Sequence, residues 1–331
     1  MNNEKSKYTI MIVPTGVGAS IGGYAGDASR YAQMIAKKTP LIVNPNIVNA
    51  AVFSGITENM LYVEGHSIEQ LMKGKIGLKP SKNNKIGIIF DKAIPENIFN
   101  VHINTLNAVK TVYDINLVGW EITDEDVGVD FYNNEKGISV GRVNNPETMK
   151  RAGQKLLKNG ADVIAVVCFF EEPPEDDYES GDGVDIVGGV EGIISHYLSK
   201  ELKCPCVHAP AFEDIVITDK KVDPKVSAEY ITPTFLPCLL FGLKNAPLTV
   251  CKNDTKYNSE TIITKKNIES VIAPFNALGS SVVLDALKSN IPVYAIKENK
   301  SVLNVTGKAL KKKAIIELER YEDYIKTVLK G

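Results

Sequence analysis

The chain has 331 residues, 44% of them hydrophobic and 24% charged, enough for about two ordinary domains or one large α/β unit. Lys and Arg number 38 against 40 Asp and Glu, a formal net charge of -2, and the basic residues are dispersed. Nucleic acid and acidic membrane surfaces, which need clustered cations, are therefore excluded as partners; a small molecule is expected, with room for a homo-oligomer.

The polar stretch Met1–Lys7 leads into an apolar run that stops at Pro14, too short for a signal-peptide core or a membrane span, so a cytoplasmic protein is expected. Strand-like apolar runs follow at Thr9–Val13, Leu41–Val43, Lys85–Phe90, Ile115–Trp120, Val163–Cys168, Cys206–His208, Val271–Ala273 and Val293–Ile296. Amphipathic stretches lie between several of them, at Ala25–Lys37, Ile98–Tyr113, Pro146–Asn159, Val190–Glu201 and Ser281–Ser289. Strands apolar on both faces and alternating with helices predict a doubly wound, largely parallel α/β sheet. Gly160, between a helix ending in Lys158 and the run from Asp162, reads as a helix C-cap. The stretch Val127–Val143, with the polar turn Asn133–Gly137 inside it, predicts an inserted hairpin. A soft boundary near residue 145 divides the chain into an N-terminal α/β half, 1–145, and a C-terminal half, 146–331, unless the whole is one continuous unit.

Three segments share a Gly loop, helix, Pro and short strand, beginning at Gly22-Gly23, Gly188-Gly189 and Gly279. Glycines at the carboxyl end of a strand, followed by a helix N-terminus, can hold an anion. The first loop is neither a dinucleotide fingerprint nor a P-loop: Ile21 stands where the third Gly or Ala belongs, and Tyr24-Ala25 where Lys and Ser/Thr belong. It remains a nest able to hold a carboxylate or phosphate, with Thr15 and Ser20 as hydroxyl donors and Asp27 as an expected ligand contact. Gly137-Ile-Ser139-Val-Gly141 spells a nucleophile elbow, but a polar turn precedes it and no helix follows at once. The acids between Glu171 and Asp185 fit no calcium loop, because Val187 stands where the bidentate Glu belongs; they read as a mobile loop or a Mg²⁺ site.

Strand ends and helix starts also collect the titratable residues. Glu191 and His196 follow Gly188-Gly189, His208 ends the next strand, and Glu213 and Asp214 lie just beyond as weak candidate metal ligands. His208 and Glu191 are the expected acid/base groups; His196 is a third candidate or an interface residue. Asn44, Asn46, Asn276 and Ser280 are expected ligand contacts beside the Gly loops. Cys168, ending a central strand, is the competing nucleophile. The five cysteines are odd in number and sit mostly in apolar runs, so they read as reduced; Cys204-Pro-Cys206 lacks the spacing of a zinc site.

These motifs carry a resemblance. Val13–Asp27, Asn44–Asn49, Leu61–Gly65, Asp185–His196, Pro205–Ala211 and Phe235–Cys238 are together similar to the DUF3326 family of uncharacterised proteins, over nearly the whole chain. The resemblance implies one family-sized unit and brings no activity with it. The strand Gly160–Cys168 more loosely resembles the first cysteine strand of the aspartate/glutamate/hydantoin racemase fold, and Ala273–Val293 resembles the diphosphate-gripping segment of UDP-sugar epimerases. The expected function is acid/base chemistry, isomerase or lyase in type, on a small anionic metabolite held by the Gly loops, with no cofactor required and Mg²⁺ allowed. The alternatives are a non-catalytic metabolite-binding protein, a nucleotide-sugar enzyme and a Mg²⁺-dependent hydrolase.

Overall fold

A computed structural model describes residues 6–171, 177–215 and 217–329. The expected alternation produces two parallel sheets rather than one. The larger has six strands in the order Ile315–Leu318, Val293–Ile296, Ile268–Pro274, Tyr8–Met11, Leu41–Val43, Met60–Tyr62. The smaller has four, in the order Cys206–Ala211, Val163–Phe169, Ile86–Phe90, Leu117–Ile122. Every pairing within both sheets is parallel. The small sheet draws strands from both sides of residue 145, and the large sheet from both ends of the chain, so a boundary at 145 separates neither sheet from the other.

Strand alternation explains the layers. Ile10 and Ile42 pack with Ile68, Leu71 and Val283 from the helices Gly65–Met72 and Ser281–Lys288 on one face of the large sheet. Met11, Leu41 and Val43 pack on the other face with Tyr31 and Ile35 of the helix Ser29–Ala36 and with Tyr321. That second core continues into the small sheet, where Ile88, Phe90, Ala165 and Val207 join it, together with the apolar helix Leu236–Lys244. The opposite face of the small sheet, with Ile164, Val166, Cys168 and Cys206, is covered by the helices Pro146–Lys158 and Gly188–Leu202. One continuous apolar core thus joins the two sheets.

The hairpin falls where the turn residues place it, with Val129–Asn133 antiparallel to Ser139–Val143. Gly160 has φ +94°, as a left-handed helix terminator requires. The acidic stretch expected to be mobile lies partly outside the described residues, at 172–176; its continuation Asp177–Ser180 forms a 3₁₀ turn.

In each sheet the chain order reverses between two neighbouring strands, the place where an α/β sheet opens a crevice beyond its carboxyl ends. In the small sheet this place is filled by Asp91, whose carboxylate accepts the N–H groups of Ala93, Val127 and Phe169 at 3.0–3.1 Å. The open crevice is therefore at the carboxyl ends of the large sheet, where the small sheet meets it.

Candidate functional site

A cavity of about 620 Å³ lies between the two sheets, within the range of small-molecule sites. The large sheet contributes Ile12–Thr15 beyond its central strand, Asn44 and Asn46 beyond the next, and Glu64 beyond Met60–Tyr62. The small sheet contributes His208 to Phe212, and the Gly188–Leu202 helix contributes Glu191, Ser195 and His196.

His208 is the third residue of Cys206–Ala211, three residues earlier than a strand end. Alternation turns it, like Cys206, toward the Gly188–Leu202 helix, whereas Val207 and Ala209 face the other core. Its Nε2 lies 3.2 Å from Glu191 Oε1, both side chains being about one-sixth exposed or less. His208 Nδ1 is buried and has no partner among the described residues. One helical turn on, His196 Nδ1 meets Glu64 Oε1 at 2.8 Å and its Nε2 lies 3.8 Å from Glu69 Oε1. Burial works against the His196 imidazolium, but its bonds to the two carboxylates outweigh burial and raise the ring to about 10. The pairing with His196 in turn holds Glu69 down at about 2. Glu64 also caps its helix by accepting the His66 and Ser67 N–H groups. His196 is thus a charged tie between the sheets: it lines the cavity, but both ring nitrogens are committed to the protein.

Two groups that sequence reasoning passed over complete the site. Burial, reinforced by the neighbouring Glu191 charge, raises Asp185 to about 7. Burial and the Asp185 charge raise Glu229 to about 8. Glu229 Oε1 accepts the Tyr178 hydroxyl at 3.0 Å and the Ala25 N–H at 3.1 Å. Asp185 was hidden in a run of acids that reads as a solvated loop. Glu229 has no sequence signal, since only tertiary packing brings the 227–230 helix to Ala25 and Tyr178.

The glycine loops do not form the expected anion nests. Gly22 and Tyr24 donate their N–H groups to Asp27 Oδ1 at 2.7 and 3.4 Å, so the first nest holds the protein's own carboxylate. Burial raises Asp27 to about 6. Gly189 N–H donates to Ser139 Oγ at 2.8 Å, and a Cβ at Gly189 would lie 2.2 Å from the Ser139 carbonyl oxygen. A Cβ at Gly188 would lie 2.6 Å from Thr15 Oγ1. These glycines permit close backbone packing of hairpin, first loop and helix. Ser139 is structural, its hydroxyl also donating to the Ile186 carbonyl at 2.6 Å. Gly279 packs beside Val305, Ser280 caps the 281–288 helix, and Asn276 ties the 301–303 loop through both ends of its amide.

Of the expected contacts, Thr15, Gly23, Asn44, Asn46, Ser280 and Asp214 line the cavity; Gly22, Asp27, Gly188, Gly189, Asn276, Gly279, Glu213 and Cys168 do not. Both ends of the Asn44 amide are bonded to the Val13 backbone, and Asn46 donates to the Gly22 carbonyl at 2.6 Å, so these two hold the first loop in place. Cys168 has no accessible surface, sits 3.6 Å from the Met149 sulfur, and burial pushes its thiol well up, the opposite of an activated nucleophile. Glu213 and Asp214 are exposed, and the described residues contain no group of three or more His, Cys, Asp or Glu arranged to hold a metal ion. Cys204 and Cys206 are buried as free thiols with sulfurs 3.7 Å apart.

Residues 8–329 match the family described as "Protein of unknown function (DUF3326)", and the chain belongs to that family. It is also 36% identical over 248 residues to a protein of Synechococcus sp. described as "Uncharacterized lipoprotein syc1174_c", covering 73% of this chain and 69% of that one. No solved structure matches. Among the described residues no helix is long and apolar enough to cross a membrane.

Proposed function

We propose that this chain is an enzyme that moves a proton on a small molecule held in the cavity between the two sheets, with His208 and Glu191 as its acid/base couple. The observation that carries the reading is the 3.2 Å His208–Glu191 pair in the cavity wall. An imidazole so placed can take a proton from a carbon or oxygen acid while the carboxylate stabilises the imidazolium that forms. Asp185 and Glu229, raised to about 7 and 8, supply groups that still hold a proton near neutrality and can return it. This is isomerase or lyase chemistry. Thiol racemisation is disfavoured by the burial of Cys168, and a nucleotide-sugar role by the internal use of Asn276 and Ser280.

The cavity wall favours a ligand of a different charge from the anion expected from the sequence. The described cavity wall contains six carboxyl groups, Glu64, Glu69, Asp185, Glu191, Asp214 and Glu229, of which Asp185 and Glu229 hold protons near neutrality, and neither Lys nor Arg. The His196 imidazolium in that wall is already paired with Glu64 and Glu69, so an anion would lose its hydration with little counter-charge to gain, and a neutral or cationic molecule fits better. Free cysteines throughout support a reducing, cytoplasmic setting.

The test is a thermal-shift screen of small amines, polyols, sugars and carboxylates, followed by solvent-deuterium exchange into any stabilising compound. A ligand at a hundred times its Kd raises stability by about 2.7 kcal/mol. H208Q and E191Q should each slow exchange by roughly a hundredfold while retaining binding. A tightly bound compound that exchanges no proton with the unaltered protein would replace this reading with that of a metabolite-binding protein.

A further inference from the structure

The strand Leu117–Ile122 is the outermost of the small sheet, at the end opposite the strand that carries His208. It pairs in parallel with Ile86–Phe90, and after a shift in register beside Gly87 the pairs run regularly: Gly119 with Gly87, Trp120 with Ile88, Glu121 with Ile89 and Ile122 with Phe90. Thr123 donates its N–H to the Phe90 carbonyl at 2.9 Å, so the backbone groups of Thr123, and of Glu121 two residues before it, point into the sheet. Those of Trp120 and Ile122 therefore point outward, because successive residues of a strand turn to opposite sides. Among the described residues nothing pairs with them. The side chains of the same two residues are 47% and 48% exposed. Their register partners Ile88 and Phe90 belong to the core shared by the two sheets; Glu121, opposite Ile89, lies on the other face and meets Lys155 at 3.7 Å.

Sheet edges are blunted by charge or covered, because an open edge is a template for another strand. The large sheet follows that rule: at one edge Met60 and Tyr62 are buried, and at the other Glu317 and Glu319 are tied to Lys297. The small sheet does not, since its two outward-facing positions hold an aromatic and a β-branched residue, the types that favour strand pairing. Their spacing identifies the partner. About a two-fold axis through Glu121, Trp120 of one copy faces Ile122 of a second, and each such pair exchanges both its N–H···O bonds, four bonds in all. Facing residues project their side chains on the same side of a sheet, so each indole lies beside the Ile122 of the other copy, a stabilising aromatic and β-branched pair. Glu121 meets its own image on the opposite face, where each carboxylate already has its Lys155.

We propose that Leu117–Ile122 is a dimerisation edge, at which a second copy of this chain adds antiparallel through Trp120 and Ile122 to make one eight-stranded sheet. The strands that carry His208 then stand at the two ends of that sheet, three strands from the contact, so the pairing is independent of the function proposed above. Two half-exposed Trp and two half-exposed Ile side chains add roughly 400 Å² to the contact between the strands themselves. That is the small end of specific interfaces, so the dimer is a micromolar one.

Sedimentation velocity between about 2 and about 200 µM tests it, read together with the emission of Trp120, the only tryptophan in the chain. The sedimentation coefficient should rise from monomer toward dimer with a Kd on the order of 10 µM, and the Trp120 emission should shift to the blue over the same range as the indole leaves water. I122E, which sets a charge beside the indole of the other copy, should raise the Kd about a hundredfold or more. I316E, the same change at an exposed position on the edge of the large sheet, should leave the Kd as it is. Both side chains are exposed, and circular dichroism checks that each variant is folded. A chain that stays monomeric at about 200 µM leaves the edge to a strand of some other protein and overturns the proposal. So does a dimer that survives I122E, or one that forms without moving the Trp120 emission, a reading that needs no variant.

Discussion

Removing the charge from Glu229 should make this protein more stable in alkali. Glu229 is pushed from an ordinary 4.5 to about 8, first by burial and next by the charge of Asp185. Its native form therefore holds a proton across a pH range in which the unfolded chain has released it. Stability changes with pH in proportion to the protons bound by the unfolded state minus those bound by the native state, so it falls from about pH 4.5 to about pH 8 and stays reduced above. The full displacement corresponds to roughly 5 kcal/mol as a ceiling. Part of it belongs to the mutual repulsion with Asp185, and partial solvent access screens the rest, which leaves about 2 kcal/mol. E229Q removes the ionisation while its amide oxygen can still accept from Tyr178 and Ala25. Urea denaturation at pH 5, 7 and 9 measures the difference between the two proteins, in which titrations other than that of the neighbouring Asp185 cancel. E229Q should match the parent at pH 5 within about 0.5 kcal/mol and exceed it by about 2 kcal/mol at pH 9. A constant difference across that range, or a less stable E229Q at pH 9, would refute the argument that burial and repulsion hold this carboxyl neutral.

Two further outcomes follow from packing. Four of the five thiols are buried and Cys251 is exposed, so DTNB should modify one thiol rapidly in the native protein and five in denaturant; fast labelling of Cys168 would contradict its place in the core. Gly189→Ala should destabilise by more than about 3 kcal/mol, because its Cβ meets backbone. Gly160→Ala, with open space around it and only a positive φ to accommodate, should cost about 1 kcal/mol; chemical denaturation of the two variants compares them, and equal losses would count against the close-packing role assigned to Gly189.

The features legible in the amino-acid sequence were local ones. The apolar runs at Leu41–Val43 and Val293–Ile296 are strands with the expected bounds, the hairpin forms around its polar turn, and Gly160 ends its helix, because each depends on side-chain periodicity or backbone freedom within a few residues. The strand Met60–Tyr62 went unread because, unlike Leu41–Val43, it contains no β-branched residue, and the helix Leu236–Lys244 because it is apolar nearly all round and has no polar stripe. His208 and Glu191 were legible as candidates, although His208 lies within its strand and meets Glu191 because alternation turns it toward the Gly188–Leu202 helix.

Tertiary structure alone decided the rest. It divided the strands between two sheets, since pairing partners are chosen by packing across the whole chain. It also settled where unpaired N–H groups went: those of Gly22 and Gly189 were taken by Asp27 and Ser139, side chains that the sequence gives no reason to place there. Above all it set the chemistry of Asp185 and Glu229. A carboxyl group's affinity for its proton depends on how much water and which charges surround it, and those are properties of the folded neighbourhood, which no stretch of sequence states.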